Sequence, residues 1–209
     1  MINSGLFPAF LFLSWTMAAQ LKTEIEKLVA QIGNKKEAVG ALEGLAKVAA
    51  EKGKPAEPFL VKAMGPIGEA MGDKDKKTRD AATAAADAIM KVVSPYAFSL
   101  LMPTFLNGLG VKAKPPQKEA TLNLIASFAK KAPKSIGFEL ANLISAVADL
   151  TCDIKKEVKE AALACMSAIA ACTGNRDLEP FLPSVVEAAS SITNTHNCVE
   201  KLAGCVFVQ

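Results

Sequence analysis

The sequence predicts an all-α protein, an α-solenoid assembled from stacked helix pairs. A short lysine-containing segment recurs about every 40 residues, the period of repeats built from two helices, and opens a stretch with apolar residues at helical spacing. β-branched residues occur singly among Ala, Leu, Lys and Glu, so no strand pattern competes. The recurring segments are residues 35–39, 76–80, 117–121 and 155–159, and one further step reaches residues 196–200.

The composition fits closely packed helix pairs. Of the 209 residues, 51% are hydrophobic and 22% charged, but only 6% are aromatic. Such a chain buries a large core mainly through small and aliphatic side chains. We therefore predict one domain over residues 20–209, built from about four and a half HEAT/armadillo-like repeats, each with an A helix, a short turn and a B helix.

The second repeat shows the plan most clearly. Its A helix is predicted to begin at Glu57 and Pro58. A proline is tolerated in the first helical turn because the N–H that it lacks would have no acceptor within the helix. The turn at residues 72–75 ends it. The B helix is predicted over residues 76–93, where alanines occupy one face, and it stops at Ser94 before a proline.

The later repeats follow the same order. We predict a fifth repeat that begins near residue 178 and is incomplete at Gln209. The predicted A and B helices are residues 95–109 and 117–131 in the third repeat, and residues 136–150 and 155–172 in the fourth.

Three prolines fall within A helices, namely Pro66, Pro103 and Pro183. An interior proline costs about 3 kcal/mol because it removes one backbone hydrogen bond and clashes with the preceding turn. We expect these helices to be kinked, and the alternative is that they break there.

The sequence contains no pattern typical of catalysis or metal binding. The one histidine, His196, has no Cys/His cluster around it, and the nearest approach to a phosphate-binding loop, residues 53–55, lacks the upstream glycine and the hydroxyl residue. The five cysteines form no CxxC, and their odd number fits a reducing compartment. Cys165 and Cys172 share a helix face, where we expect them to be small buried residues. We predict that the chain is not an enzyme and needs no cofactor.

Lysines recur at the same place in successive repeats and form the candidate contact site. Lysine at a helix N-terminus is unfavourable by about 0.3–1 kcal/mol, so its recurrence suggests another role. Stacking would align these residues along one edge, where they can contact RNA phosphates. The alternative is an edge that only aids solubility. The candidate residues are Lys74, Lys76, Lys77, Lys112, Lys114, Lys118, Lys155, Lys156 and Lys159.

A second basic cluster, in residues 130–134, ends a B helix, where the helix dipole favours cations, so we predict a structural role for it. Tyr96, Phe98 and Phe105 are predicted to fill the core between helices. Aromatic side chains that could stack on splayed bases are therefore scarce, and contact with duplex backbone or protein is favoured.

Segments within the repeats resemble a known family. Glu57-Pro58-Phe59-Leu60 returns as Glu179-Pro180-Phe181-Leu182, and residues 72–76 and 152–162 carry further likeness. In order from about residue 42 to residue 208, these segments are similar to the HEAT-repeat region of fungal-type translation elongation factor 3.

The resemblance implies a ribosome-bound factor whose HEAT region docks on the head of the small subunit and contacts ribosomal RNA and proteins. In that family ATP is hydrolysed by two downstream cassettes, and this sequence ends before any of them. A non-catalytic docking module without a small-molecule substrate is therefore expected. The alternatives are a HEAT scaffold for another partner, such as tubulin, a transport cargo or a translation regulator, and a fragment of a longer ATPase.

Residues 1–19 are treated as a separate segment. The apolar run at residues 6–13 and Ala18-Ala19 resemble a secretory signal, but no Lys or Arg precedes the run, and it is too short to span a bilayer. The alternative is that Met17 is the natural start and residues 1–16 are an upstream extension. We expect a cytoplasmic protein that does not associate with membranes.

Overall fold

The computed structural model describes the backbone of residues 6–172 and the side chains of residues 17–172. Every regular element in that part of the chain is helical, which confirms the all-α prediction. The α-helices are α1 (Leu6–Ile32), α2 (Ala38–Lys52), α3 (Glu57–Ala70), α4 (Lys76–Val92), α5 (Phe98–Leu109), α6 (Pro115–Lys131), α7 (Pro133–Gly137), α8 (Leu140–Leu150) and α9 (Lys156–Ala170), with 3-10 turns at Lys54–Ala56 and Pro95–Ala97.

The helices form two layers. The A helices α1, α3, α5 and α8 pack side by side, and each packs on the B helix that follows it. The B helices α2, α4, α6 and α9 pack on one another in chain order. This arrangement, in which each pair contacts its neighbours, is an α-solenoid of HEAT/armadillo-like repeats. The predicted fold class is therefore confirmed for the described residues, and the predicted fifth repeat lies outside them.

The predicted helix boundaries hold well in the second and third repeats and differ in the fourth. There the expected A helix at 136–150 is divided into α7 and α8, which meet at Phe138 and Glu139. Gly137 ends α7, and a glycine inside a helix is less favourable than alanine by about 1 kcal/mol. The division therefore follows a residue of low helix propensity.

The prolines in the A helices do not break them. Pro66 lies inside α3 and Pro103 lies inside α5, and both helices continue through the proline. The alternative of broken helices is therefore wrong for these two residues. Pro183 lies outside the described part of the chain.

Aromatic packing is centred on the third repeat. Phe98 is fully buried, and its ring stacks on Phe128 with a centroid separation of 4.6 Å and an interplanar angle of 10°. The ring of Phe105 lies 5.7 Å from that of Phe98, measured between centroids. The prediction for Tyr96 is wrong, since its side chain is 92% exposed. The 3-10 turn ahead of α5 buries Ala97 and leaves Tyr96 outside the core.

Helices α5 and α6 approach closely at Gly108. A Cβ atom added there would lie 2.7 Å from the hydroxyl oxygen of Thr121. Thr121 is itself buried, and its hydroxyl donates to the carbonyl oxygen of Gln117 at 2.8 Å. The glycine is therefore required by the packing of this helix pair.

Side chains from two neighbouring repeats hold the junction between α4 and α5. The Oε1 atom of Glu57 accepts a hydrogen bond from the backbone N–H of Ser94 at 2.7 Å. The amine of Lys131 donates to three carbonyl oxygens at the end of α4, those of Met90, Lys91 and Val93, at 2.8, 2.8 and 3.0 Å. The structural role predicted for the basic cluster is confirmed for Lys131. The helix end that it caps belongs to the preceding repeat, not to its own helix.

Cys165 in α9 and Cys172, just after that helix, are part of the packed core. Cys165 and Cys172 are buried, as predicted. Burial raises the pKa of the Cys165 thiol to about 12, and the Cys172 thiol donates to the carbonyl oxygen of Ala168 at 3.3 Å. A thiol with a raised pKa holds little thiolate, so these side chains are poor nucleophiles.

Helix α1 continues through residue 19, so its backbone shows no boundary where the separate segment 1–19 was predicted to end. That domain division stays a prediction. Within residues 6–172, no helix is both long enough and apolar enough to cross a membrane.

Candidate binding edge at the turns between A and B helices

The turns that join the A and B helices of the second, third and fourth repeats lie side by side along one edge of the stack. Two contacts between repeats show this: the amine of Lys114 donates to the carbonyl oxygen of Gly72 at 2.6 Å, and the amine of Lys118 lies 3.2 Å from the Oδ2 atom of Asp153. We call residues 72–77, 110–118 and 151–159 together the turn edge.

In the second repeat, aspartates and an arginine fold the turn. The Oδ1 atom of Asp73 accepts from the N–H of Asp75 at 2.8 Å, and this hydrogen bond lowers the pKa of Asp73. Asp75 in turn is the N-cap of α4 and accepts from the N–H of Lys77 at 3.4 Å. Arg79 donates to the carbonyl oxygens of Asp73 and Lys74, both at 3.0 Å. Both carboxylates therefore bind the backbone of their own turn.

The turn of the fourth repeat uses an aspartate in the same way. The Oδ1 atom of Asp153 accepts from the N–H of Lys155 at 2.9 Å, and its Oδ2 atom pairs with Lys118. The two side chains of this ion pair are only 14% and 19% exposed, for Lys118 and Asp153 respectively. The N–H of Lys155, and then Lys118, hold the pKa of Asp153 below its ordinary 3.8.

The lowered pKa of Asp153 predicts acid-sensitive stability. Because the folded-state pKa lies below the unfolded value, the stabilisation is present at pH values above 3.8 and is lost as the pH falls through the folded-state pKa. We expect Asp153→Asn to lower the free energy of unfolding by about 1 kcal/mol at neutral pH. Urea unfolding followed by circular dichroism should show this difference shrinking below pH 3.8.

The matched control is Asp149→Asn, which removes an exposed carboxylate from the preceding helix. It should leave stability at neutral pH nearly unchanged. A difference between wild type and Asp153→Asn that is the same at acidic and neutral pH would contradict the assignment.

The structure divides the nine predicted contact lysines into two groups. The amines of Lys114 and Lys118 bind neighbouring repeats and thereby join the second, third and fourth turns. Lys156 also forms an exposed pair with Glu160 at 3.6 Å, which contributes little energy. Outside the two inter-repeat contacts, the exposed members are Lys74, Lys76, Lys77, Lys112, Lys155, Lys156 and Lys159. Whether they bind a partner stays a prediction.

Two apolar residues on the turn edge were missed from the sequence. Val111 is 99% exposed and Ile154 is fully exposed. The available signal was that both residues fall between the last apolar position of an A helix and the start of a B helix, where the helical pattern assigns no core contact.

In the described part of the chain, no group of three or more His, Cys, Asp or Glu side chains is placed so that it could hold a metal ion. His196 lies outside the described residues.

Among solved structures, a chain of crescerin, a protein that uses a TOG domain array to regulate microtubules, superimposes with a TM-score of 0.64. The two chains are 18% identical, and the match covers 90% of this chain and 75% of that one. At this level of identity the likeness shows the fold alone.

Sequence comparison gives the family. The family described as EF3 N-terminal HEAT repeat matches residues 12–166. Elongation factor 3 of Zygosaccharomyces rouxii is 32% identical over 183 residues, 87% of this chain and 18% of that protein. The Phytophthora infestans protein of the same name is 33% identical over 153 residues, 73% of this chain and 15% of that protein. The chain thus spans less than a fifth of these relatives, and it belongs to the EF3 N-terminal HEAT-repeat family.

Proposed function

We propose that this chain is a non-catalytic docking module of a translation elongation factor 3-like protein and that it binds the ribosome, in the cytoplasm, through the turn edge. The observation that carries the proposal is the set of seven exposed lysines on the turn edge that make no contact with a neighbouring repeat. Membership of the elongation factor 3 family supports the ribosome as the target of that row.

The electrostatics of the turn edge support binding of an anionic surface. Asp73, Asp75 and Asp153 are occupied by backbone N–H groups or by a lysine within the fold. The turn edge contains nine lysines and four carboxylates, the fourth being Glu157, so its net charge is +5 (nine minus four). A surface of one sign accelerates association with a surface of the opposite sign and makes binding sensitive to salt.

In this proposal the chain itself performs no reaction. ATP hydrolysis by a full-length relative would belong to cassettes outside the matched region, which covers about 18% of the relative from Z. rouxii. The HEAT module would then position such a motor on the ribosome.

A scaffold that binds another protein is the alternative, because solenoids share their architecture and differ in what their surfaces carry. The likeness to crescerin gives no reason to choose tubulin, since the 18% identity shows only the fold. The family match favours the ribosome.

The test is co-sedimentation of the whole chain with purified ribosomes across about 50–200 mM salt. We expect binding that weakens as salt rises, and we expect the triple charge reversal of Lys155, Lys156 and Lys159 to glutamate to weaken it by about 10-fold or more. These three residues are exposed, so the fold should persist, which circular dichroism can verify.

A triple reversal of Lys47, Lys54 and Lys62 to glutamate is the control. It makes the same change in net charge on exposed residues away from the turn edge, and it should reduce binding less. The proposal fails if the wild-type chain does not sediment with ribosomes at low salt, or if the two triple variants bind equally well.

A further inference from the structure

The two apolar side chains of the turn edge lie where the fold makes no use of them. Val111 and Ile154 are 99% and 100% exposed, more than any other large apolar residue in the described part of the chain. Turns favour Gly, Pro, Asn, Asp and Ser, each for a conformational reason that valine and isoleucine do not share. Both side chains are therefore available for contact with a partner.

The second repeat shows that the turn does not need isoleucine. The N–H of Asp75 donates to Asp73 at 2.8 Å, and the N–H of Lys155 donates to Asp153 at 2.9 Å, so the two turns have the same local geometry. The residue between the aspartate and the donor of this hydrogen bond is Lys74 in the second repeat and Ile154 in the fourth. A lysine is therefore compatible with the backbone of this turn.

The two apolar side chains belong to adjacent turns and have lysines beside them. Lys118, at the start of α6, pairs with Asp153, so the third and fourth turns are neighbours. Packed helices lie about 8–10 Å apart, which sets the scale of the separation between the two turns. Lys112 follows Val111, and Lys155 and Lys156 follow Ile154. The turn edge thus exposes two apolar side chains that have lysines next to them in the sequence.

This combination fits a protein surface better than RNA. Phosphate groups offer charge to the lysines but no apolar contact to valine or isoleucine, and aliphatic side chains do not stack on bases as aromatic ones do. Protein interfaces combine apolar contacts at the centre with charged residues around them. Removing fully exposed aliphatic groups from water favours binding in proportion to the area covered.

Resting on the proposed function, we propose that the turn edge docks on a protein component of the ribosome, one with an acidic surface and apolar depressions that receive Val111 and Ile154. The lysines steer and orient the complex, and the two aliphatic side chains provide contacts that salt does not screen.

Ile154→Lys separates the two kinds of partner because it removes an apolar group and adds a positive charge. An RNA phosphate surface predicts tighter binding of this variant, whereas an apolar depression predicts weaker binding. We expect co-sedimentation with ribosomes to show affinity reduced by about 10-fold for Ile154→Lys, and a similar loss for Val111→Ser.

Leu100→Ser is the control. Leu100 is 70% exposed on the first turn of α5, about 15 Å along that helix from the turn edge, and its loss should leave ribosome binding unchanged. Binding of Ile154→Lys that equals or exceeds wild type overturns the protein partner while leaving the proposed function standing. Failure of the wild-type chain to bind ribosomes overturns both.

Photocrosslinking identifies the partner directly. With p-benzoylphenylalanine in place of Ile154, irradiation of the whole chain on purified ribosomes should give an adduct that protease removes and nuclease does not. The same amino acid in place of Leu100 should give no such adduct. An adduct with ribosomal RNA, or one with a second copy of this chain, overturns the inference.

Discussion

Replacing Phe98 with alanine is expected to lower the free energy of unfolding by about 3–5 kcal/mol, the largest loss that we predict for a single side chain. Phe98 is fully buried, and its removal leaves a cavity beside Phe105 and Phe128, whose rings lie 5.7 and 4.6 Å from that of Phe98, measured between centroids. The loss includes the aromatic stacking as well as the buried area.

Urea and thermal unfolding measure this effect, and the midpoint temperature should fall by about 10 °C in a chain of this size. Leu100→Ala in the same helix is the control, since Leu100 is 70% exposed and should change stability little. Equal effects of the two substitutions would show that Phe98 does not hold the third repeat together.

Replacing Lys131 with methionine is expected to cost about 2–3 kcal/mol. Methionine keeps much of the apolar stem but removes the amine that donates to the carbonyl oxygens of Met90, Lys91 and Val93. These oxygens lie at the C-terminal end of α4, where the helix dipole also favours a cation. A hydrogen bond from a charged group contributes about 1.5–3 kcal/mol, and carbonyls left without a donor add to the loss.

Lys130→Met is the control, because Lys130 is exposed and precedes Lys131 in the same helix turn. Hydrogen exchange should localise the effect of Lys131→Met to the junction of α4 and α5, with faster exchange at the amide of Ser94. If Lys130→Met destabilised the chain as much, general loss of positive charge near the helix end would be the cause. That result would contradict a stabilising role for Lys131 as the cap of α4 in the preceding repeat.

The helices were predictable from local sequence patterns, namely helical periodicity and residues that start or end helices. The B helix expected at residues 76–93 is α4, Lys76–Val92, and the helices α3 and α5 continue through Pro66 and Pro103 as expected. The fourth A helix was harder to predict, because Gly137 weakens the helix without removing the apolar pattern around it. Tyr96 and Phe98 are two residues apart, and only the geometry of the 3-10 turn leaves one exposed and the other buried.

The candidate site was predicted only as a set of lysines. Lys112 and Lys114 lie in the same turn and have the same chemistry, yet the amine of Lys114 donates to Gly72 in the neighbouring repeat. Glu57 belongs to a helix-start motif, but its carboxylate accepts from Ser94, a contact that the motif does not contain. Spacing along one chain segment cannot show which side chains meet across a repeat boundary.

The sequence by itself determined the stack of helix pairs and the family, since helical period, helix ends and repeat length depend on residues close together along the chain. The tertiary structure decided which lysines face outward, which helix end Lys131 caps, and where Val111 and Ile154 stand. These features depend on stacking, which brings turns about 40 residues apart in the chain to within hydrogen-bond distance. A turn edge with two exposed aliphatic side chains, and with seven exposed lysines that make no contact with a neighbouring repeat, follows from that stacking.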